Sequence, residues 1–286
     1  MNATATVSTR SVPTRTVKAR RVDFSYPEEK IPRHYVSGDL VMSHLLSNLS
    51  AVFPEGEAFF VRSVRNYRDR IEDPELRKQV AGFIGQEAMH GREHRAFNER
   101  LAALGYPTKR IDWMMRWEMK AFTKYLPKSL SLAMTAALEH YTATLAEVLL
   151  SDSDLRAMLD IEQVRKLWLW HALEESEHKA VAFDVYQAVS GNHLLRVGAM
   201  HAMTVMLLGG LVTDTVLSLL ADPAARDLGR LRRSLRAFRR GPFAGRDVRE
   251  RIGAYRRRGF HPDDRDTTAL LEHWRTELFD TDAVCS

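Results

Sequence analysis

Apolar residues recur with helical spacing from Leu40 almost to the C-terminus, and no alternating strand pattern competes with them. The 15 glycines and 10 prolines are few for a chain of 286 residues, and they fall mainly where the helical pattern is interrupted. The sequence therefore predicts an all-α protein made of long helices. A chain of this length can bury a substantial core in a single large domain.

Four long helices are predicted in the first two thirds of the chain. Pro54 is predicted to start the first, and the others are predicted over about 73–105, 127–150 and 161–191. The long connection between the second and third contains a further amphipathic segment. This connectivity is typical of a ferritin-like four-helix bundle. We expect packing roles for four tryptophans of these segments, Trp113, Trp117, Trp168 and Trp170.

The predicted domain organisation is a disordered basic tail at 1–22, followed by one ferritin-like helical domain at 23–286. The tail is rich in Ser, Thr and Arg and has almost no apolar residues. An apolar helix is predicted at about 194–221, and a basic helical extension follows it. The apolar segment is long enough to span a bilayer, but we expect a fifth helix packed on the bundle, with membrane contact or a substrate channel as alternatives.

The chain has one cysteine, Cys285, near its C-terminus. A single thiol excludes a disulfide framework within the chain, a cysteine-based zinc site and a cysteine-ligated iron–sulfur cluster. Any bound metal must therefore be held by histidines and carboxylates. We expect a cytoplasmic protein, with peripheral attachment to the inner face of the membrane as the alternative.

Two of the predicted helices each carry one carboxylate and two imidazoles on a single narrow face. Because an α-helix turns about 100° per residue, each set falls within a stripe about 60° wide. The members are Glu87, His90 and His94 on the second helix, and His171, Glu175 and His178 on the fourth. Each Glu-x-x-His unit offers a carboxylate oxygen and an imidazole nitrogen to one metal ion.

Two further glutamates complete a set of ligands for two metal ions. Glu57 and Glu139 lie among apolar residues of the first and third helices, where an isolated carboxylate would be costly. A shared carboxylate can bridge two ions in such bundles. The alternative is a pair of surface stripes neutralised by nearby basic residues. The predicted metal ligands are Glu57, Glu87, His90, His94, Glu139, His171, Glu175 and His178.

The direction of the second and fourth helices predicts which ligands face one another. In a ferritin-like bundle these helices are antiparallel, so the residue order along one is reversed along the other. The expected pairs are Glu87 with His178, His90 with Glu175, and His94 with His171. The last pair should lie at one end of the site, with metal ligation, orientation of another ligand and proton transfer open as its roles. A hydrogen-bonded pair without function is the alternative.

The segments FPEGE, FIGQEAMHGREH, ALEHYTA and EESEHKAVAFDVY together resemble a bacterial family of predicted metal-dependent hydrolases. The resemblance covers roughly residues 25–265. It implies a ferritin-like architecture, a metal site and the hydrolytic reaction in the name of the family.

The order of the ligands is also similar to that of the di-iron N-oxygenases, which oxidise aryl amines. Those enzymes carry Glu, then Glu-x-x-His, then Glu, then His-x-x-x-Glu-x-x-His. The matching residues here are Glu57, Glu87, His90, Glu139, His171, Glu175 and His178, and His94 is additional. This resemblance concerns the site alone, and it implies two iron ions.

The main functional prediction is a di-iron enzyme that activates dioxygen to oxidise an organic, hydrophobic substrate; manganese or zinc are the alternatives to iron. A metal-dependent hydrolase with a metal-activated water and a non-catalytic metal-binding protein are the alternative functions. The expected partners are a small molecule of hydrophobic or acyl type, an external electron donor for oxygenation, the membrane surface and a second copy in a homodimer. No nucleic-acid motif accompanies the basic block at 226–258, so no nucleic-acid partner is expected.

Overall fold

The computed structural model describes residues 15–26 and 31–280, and all regular secondary structure in these ranges is helical. This confirms the all-α prediction for the described part of the chain. Short 3₁₀ turns join several helices, and a π-helical turn, Thr276–Asp280, follows the last. The α-helices are α1 (Leu40–Arg65), α2 (Pro74–Ala103), α3 (Thr108–Tyr125), α4 (Lys128–Ser151), α5 (Ser153–Met158), α6 (Glu162–His178), α7 (Val181–Val189), α8 (His193–Leu220), α9 (Leu228–Arg240), α10 (Arg246–Ala254) and α11 (Thr268–Arg275).

Helices α1, α2, α4 and α6 surround the centre of the molecule. Helix α1 packs against α2, α4 packs against α6, and the two pairs meet through α1–α4 and α2–α6 contacts. Helix α3 lies in the connection between α2 and α4 and packs mainly on α1. This order agrees with the predicted crossover, whereas membership of the ferritin-like class stays a prediction.

Two apolar cores lie on either side of a central layer of polar side chains. Along α1, Phe53 belongs to one core and Phe60 to the other. Along α2, Phe83 belongs to the same core as Phe60, and Phe97 belongs to the same core as Phe53. The predicted metal ligands of α1 and α2 lie between these positions, so they have apolar packing on both sides along each helix.

Helix α1 begins at Leu40, and Pro54 lies inside it, so the predicted helix start at Pro54 is wrong. Proline has no N–H to donate to the carbonyl of Ser50, four residues earlier. The Ser50 carbonyl instead accepts a hydrogen bond of 2.9 Å from Nδ2 of Asn98 on α2. A side chain of the neighbouring helix thus replaces the missing backbone hydrogen bond, and α1 continues through the proline.

Helix α2 has the predicted ends. The carboxylate of Asp73 accepts hydrogen bonds from two backbone N–H groups of the first turn, and Gly105 follows the helix with a φ of +89°. The predicted fourth helix, in contrast, is interrupted at residues 179–180 and forms α6 and α7. At the break the ammonium of Lys179 is buried and lies 3.0 Å from the carboxylate of Glu147.

Residues 15–22, which the sequence assigns to a disordered tail, have no regular secondary structure and contact the helices through their side chains. The guanidinium of Arg20 lies 3.0 Å from the carboxylate of Glu174 and 2.7 Å from that of Glu177. Arg20 of this segment thus pairs with two buried acids of α6, and the predicted domain boundary at residue 22 stays a prediction. The rest of the predicted tail, residues 1–14, lies outside the described residues.

The predicted apolar helix is α8, which packs on α4 and α1 along one face and exposes the other. Val205, on the outer face, is 73% exposed. By length and composition α8 is the one helix of the described ranges that could cross a membrane. Trp168 and Trp170 are buried as predicted, whereas Trp113 and Trp117 of α3 are 61% and 57% exposed and do not pack in a core.

Candidate metal centre

Four helices supply the side chains of the central polar layer. Each of the predicted ligands is at most 3% exposed, so the sequence correctly identifies glutamates and histidines that lie inside the protein. The alternative of two solvated surface stripes is wrong for the same reason. These residues are Glu57 on α1, Glu87, His90 and His94 on α2, Glu139 on α4, and His171, Glu175 and His178 on α6.

The cluster consists of two adjoining groups of potential ligand atoms that share Glu175. One group is formed by Glu57, His90, His171 and Glu175, with one ligand atom of each within 4.8 Å of the others. The second group is formed by Glu87, Glu175 and His178 under the same limit. Glu139 adjoins the second group, since its Oε2 lies 3.3 Å from Nε2 of His178.

The distances across α2 and α6 confirm the predicted antiparallel pairing. Glu87 Oε1 lies 3.3 Å from His178 Nε2, and His90 Nδ1 lies 3.5 Å from Glu175 Oε1. At the end of the cluster, Nε2 of His94 and Nδ1 of His171 are 2.8 Å apart, within hydrogen-bonding distance.

Many polar atoms of the cluster are buried and have no hydrogen-bond partner among the residues that the structure describes. Both carboxylate oxygens of Glu57, Glu87 and Glu139 are in this state, as are Nδ1 of His90 and Nε2 of His171 and His178. Leaving so many buried polar atoms without partners is energetically costly in a protein interior. Carboxylate oxygens and imidazole nitrogens suit iron, manganese and zinc ions, so the residues present fit a metal centre.

The protonation of the cluster reflects four carboxyls in one apolar enclosure. Burial raises the pKa of three of them above the ordinary value, and neighbouring carboxylates add to the effect for Glu57 and Glu139. The three are Glu57, Glu87 and Glu139. For Glu175 burial acts in the same direction, but the charge of the neighbouring His178 ring holds its pKa well below the ordinary value. Contacts with carboxylates raise the pKa of His90 and His178, although burial opposes this.

In each histidine of the two groups, the ring nitrogen that faces away from the other ligand atoms lies within hydrogen-bonding distance of another side chain. His178 Nδ1 lies 3.0 Å from Gln86 Oε1, and the Gln86 amide donates to Glu177 at 2.9 Å. His90 Nε2 lies 3.2 Å from Glu174 Oε2. Such contacts fix the ring orientation and direct the other nitrogen toward a metal. The sequence did not identify Gln86 in this role, because its partner His178 is distant in sequence.

A chain of hydrogen bonds determines the tautomer of His171. Asn98 Nδ2 donates to the Ser50 carbonyl, so its Oδ1 accepts the Ser50 hydroxyl proton at 2.7 Å. The Ser50 oxygen then accepts from His94 Nδ1 at 2.8 Å. Burial holds the pKa of His94 well below its ordinary value, so the ring is neutral and its Nε2 accepts from His171 Nδ1. His171 Nε2 therefore carries the lone pair that points toward Glu175.

The same chain holds His94 outside the two groups of potential ligand atoms. Both of its ring nitrogens are engaged, one with Ser50 and the other with His171. Neither group of potential ligand atoms found among the described residues includes it. The hydrogen bonds place His94 behind His171, where it orients that ring, and the predicted ligand set stays a prediction.

We expect His94→Phe to weaken metal binding by about 10- to 100-fold, because His171 would lose the acceptor that fixes its ring. Ser50→Ala should have a smaller effect in the same direction. Titration against a chromophoric chelator measures the affinity. His140→Phe is the control, since His140 is a half-buried histidine whose partner is the Arg251 carbonyl, 2.9 Å away. Equal affinity in His94→Phe and the wild type would show that His171 does not need this partner.

A separate group, formed by His34, His44 and Asp222, has a different character. Oδ2 of Asp222 lies 2.8 Å from His34 Nε2, 3.0 Å from His44 Nε2 and 3.1 Å from Nε of Arg33. An oxygen that already accepts three hydrogen bonds has no free lone pair for a metal. This group therefore ties α1 to the end of α8.

The fold and the cluster define a helical protein with a buried carboxylate–histidine site suited to metal ions. Comparison with family models identifies the family, because residues 18–266 match the model described as predicted metal-dependent hydrolase. The chain belongs to this family, and the resemblance inferred from the sequence motifs is confirmed. Neither curated proteins nor solved structures gave a match in the other two comparisons. The description of the family favours the hydrolase alternative over the predicted dioxygen chemistry.

Proposed function

We propose that the protein is a hydrolase that uses two divalent metal ions to cleave an apolar, acyl-type substrate. Its support is the family to which the chain belongs and the donor atoms of the cluster. The first ion would be held by Glu57, His90, His171 and Glu175, and the second by Glu87, Glu139, His178 and Glu175. When bound, such ions polarise a carbonyl group and lower the pKa of a water molecule.

The observation that carries the proposed substrate class is a cavity of about 390 Å³ that reaches the cluster. Its wall is formed mostly by apolar side chains of α1, α3, α4 and α8, and its inner end contains Glu57, His171 and Glu175. Apolar walls with few polar groups favour a hydrocarbon ligand whose reactive group lies at the polar end. The cavity therefore orients an acyl chain with its carbonyl toward the cluster.

The chain's own residues have defined roles in this proposal. Phe53 and Trp168 cover the His171 ring and keep bulk water from that end of the cluster. His94 keeps the His171 lone pair directed inward. Glu118 lines the cavity, and burial raises the pKa of its carboxyl, so it holds a proton to higher pH than an exposed glutamate does.

Dioxygen activation by two iron ions is the second candidate. It is favoured by the donor set, since four carboxylates and three imidazoles in one buried cluster have the composition and order found in di-iron bundles. The same cavity would then hold an apolar substrate for oxidation, and an external electron donor would be required. A protein that only stores or senses metal would not need a cavity for an organic substrate.

One experiment separates the candidates. The protein is purified without added metal, its metal content is determined, and samples are loaded with zinc, manganese or ferrous iron under nitrogen. We expect metal-dependent hydrolysis of p-nitrophenyl esters that increases with acyl-chain length and is abolished by chelation. Absence of hydrolysis with all three metals, together with stoichiometric dioxygen consumption by the iron-loaded protein, would reject the hydrolase in favour of the second candidate.

Gly56 offers a direct test of the cavity. It lines the cavity next to Glu57, and a Cβ added there would meet no atom within 4 Å. We expect Gly56→Phe to fill the inner end of the cavity, lowering kcat/KM for long-chain esters at least about tenfold more than for acetate esters. Gly56→Ala is the matched control and should be stabilised by about 0.5–1 kcal/mol with little change in chain-length preference. Equal losses for both ester lengths would indicate that the substrate binds elsewhere.

A further inference from the structure

Helices α3 and α8 both line the cavity, and both expose apolar side chains. Arg110, near the start of α3, pairs with Asp214 of α8 at 2.6 Å, and residues from the C-terminal half of α3 share an apolar cluster with α8. The exposed apolar residues of the two helices are called here the α3/α8 face. They are Trp113, Met114 and Trp117 of α3, and Val205, Met206, Leu208, Val212 and Val216 of α8. Large apolar side chains exposed in this number on two helices that line one cavity mark a candidate interaction site.

The cavity connects the α3/α8 face with the cluster. Met114, Met206 and Val212 belong to the exposed face and also line the cavity. His171 and Glu175 line its buried end. An apolar molecule can therefore pass from this face to the candidate metal centre along a wall that is mostly apolar.

The charges beside the face are positive. Lys109, Lys120 and Lys124 of α3 are exposed and form no ion pair among the described residues. The Lys120 ammonium lies 5.2 Å from the ring centroid of Trp117, and that of Lys124 lies 4.9 Å from the ring of Tyr125. Exposed Trp and Tyr beside Lys are typical of segments that lie at a membrane surface.

Helix α9 adds positive charge near the cavity. Phe238 of α9 lines the cavity, which places the helix beside it. Its exposed arginines form no ion pair among the residues described by the structure. They are Arg232, Arg233, Arg236, Arg239 and Arg240. Clusters of four to eight basic residues on an amphipathic helix bind anionic lipid headgroups.

We infer that the α3/α8 face docks on an anionic lipid bilayer, and that the substrate enters the cavity directly from that bilayer as an acyl chain. The substrate part of this inference rests on the proposed function, whereas docking itself does not. A bilayer fits better than a second copy of the chain, because a copy would bring the basic surfaces of α3 and α9 against one another. The chain already carries a formal net charge of +5.

Vesicle flotation tests the docking. The full-length protein is mixed with vesicles of phosphatidylcholine alone, or of phosphatidylcholine with phosphatidylglycerol. We expect binding to the anionic vesicles, weaker binding to the neutral ones, and loss of the difference at high salt. The double variants Trp113→Ser/Trp117→Ser and Lys120→Glu/Lys124→Glu should each bind at least about tenfold more weakly. Arg165→Glu/Lys166→Glu, on exposed residues of α6, is the charge-matched control and should bind as the wild type does.

The outcomes separate docking from catalysis. Glu175→Ala, which alters the cluster, should still float with the vesicles, and the surface variants should retain metal and the hydrolysis of water-soluble esters. Vesicle binding without metal or hydrolysis would reject the proposed function and keep the docking. Equal binding by the surface variants and the control would overturn the docking. Absence of vesicle binding, with a dimer in light scattering that the Trp113→Ser/Trp117→Ser variant converts to a monomer, would instead assign the face to a second copy.

Discussion

Replacing Glu175 with alanine is expected to remove both metal ions from the protein. Glu175 contributes an oxygen atom to each of the two ligand groups, so its loss opens both at once. Losing a residue that merely orients a ligand costs about 10- to 100-fold in metal affinity, and losing a shared ligand should cost more than about 100-fold at each ion. Metal analysis after gel filtration, followed by titration against a chelator, measures the loss.

Two other glutamates provide the comparison. Glu139→Gln should weaken one ion more than the other, because Glu139 adjoins only the group that contains His178. Glu147→Gln should retain both ions, although Glu147 is also buried, because its carboxylate pairs with Lys179 at 3.0 Å and Arg251 at 3.2 Å. That variant should instead lose stability, since a buried charge loses its partner. Normal metal content in Glu175→Ala would contradict the assignment of a shared ligand.

The sequence was sufficient to predict the helices and the composition of the cluster. Helical periodicity and end signals such as Asp73 and Gly105 depend on local interactions, which a sequence displays directly. Spacing on a helix also determines which side chains share a face, and antiparallel packing then determines their partners. The close contact between His94 and His171 follows from these two rules alone.

The features that the sequence did not predict share one physical cause, which is compensation by residues distant in sequence. Pro54 normally ends a helix, but Asn98 supplies the hydrogen bond that the proline lacks. The position of His94 outside the two groups of potential ligand atoms likewise depends on Ser50, which engages its second ring nitrogen. Arg20 belongs to a segment whose composition indicates disorder, yet acids on α6 hold it against the bundle. No local pattern in the sequence contains this information.

Metal binding is expected to release protons and therefore to become tighter as the pH rises. In the metal-free protein the carboxyl pKa values of Glu57 and Glu139 lie well above the ordinary value of 4.5, and those of the His90 and His178 rings lie well above 6.5. Ions that bind these atoms must displace the protons that they carry. Each displaced proton makes the affinity about tenfold stronger per pH unit while the group is protonated in the free protein.

The same shifts determine how stability changes with pH. A group whose pKa is higher in the folded than in the unfolded protein stabilises the fold when it is protonated. This contribution is complete at pH values below the pKa of the group in the unfolded protein. It is lost as the pH rises through the pKa of the group in the folded protein. For the raised carboxyls the loss begins above pH 4.5, and for His90 and His178 it begins above 6.5. Bound metal replaces these protons, so the increase in Tm on adding metal should be larger at pH 8 than at pH 6.

Thermal unfolding of chelator-treated and metal-loaded protein at the two pH values measures this increase, and a pH indicator in weakly buffered solution counts the protons released. Glu57→Gln/Glu139→Gln should release fewer protons, because an amide carries no acidic proton, whereas Glu147→Gln should match the wild type. An equal increase in Tm at both pH values, with no proton release, would mean that the carboxyls and imidazoles of the cluster are not the metal ligands. The sign of the pH dependence therefore tests the ligand set independently of any catalytic activity, since it follows from four carboxyls enclosed with imidazoles in an apolar interior.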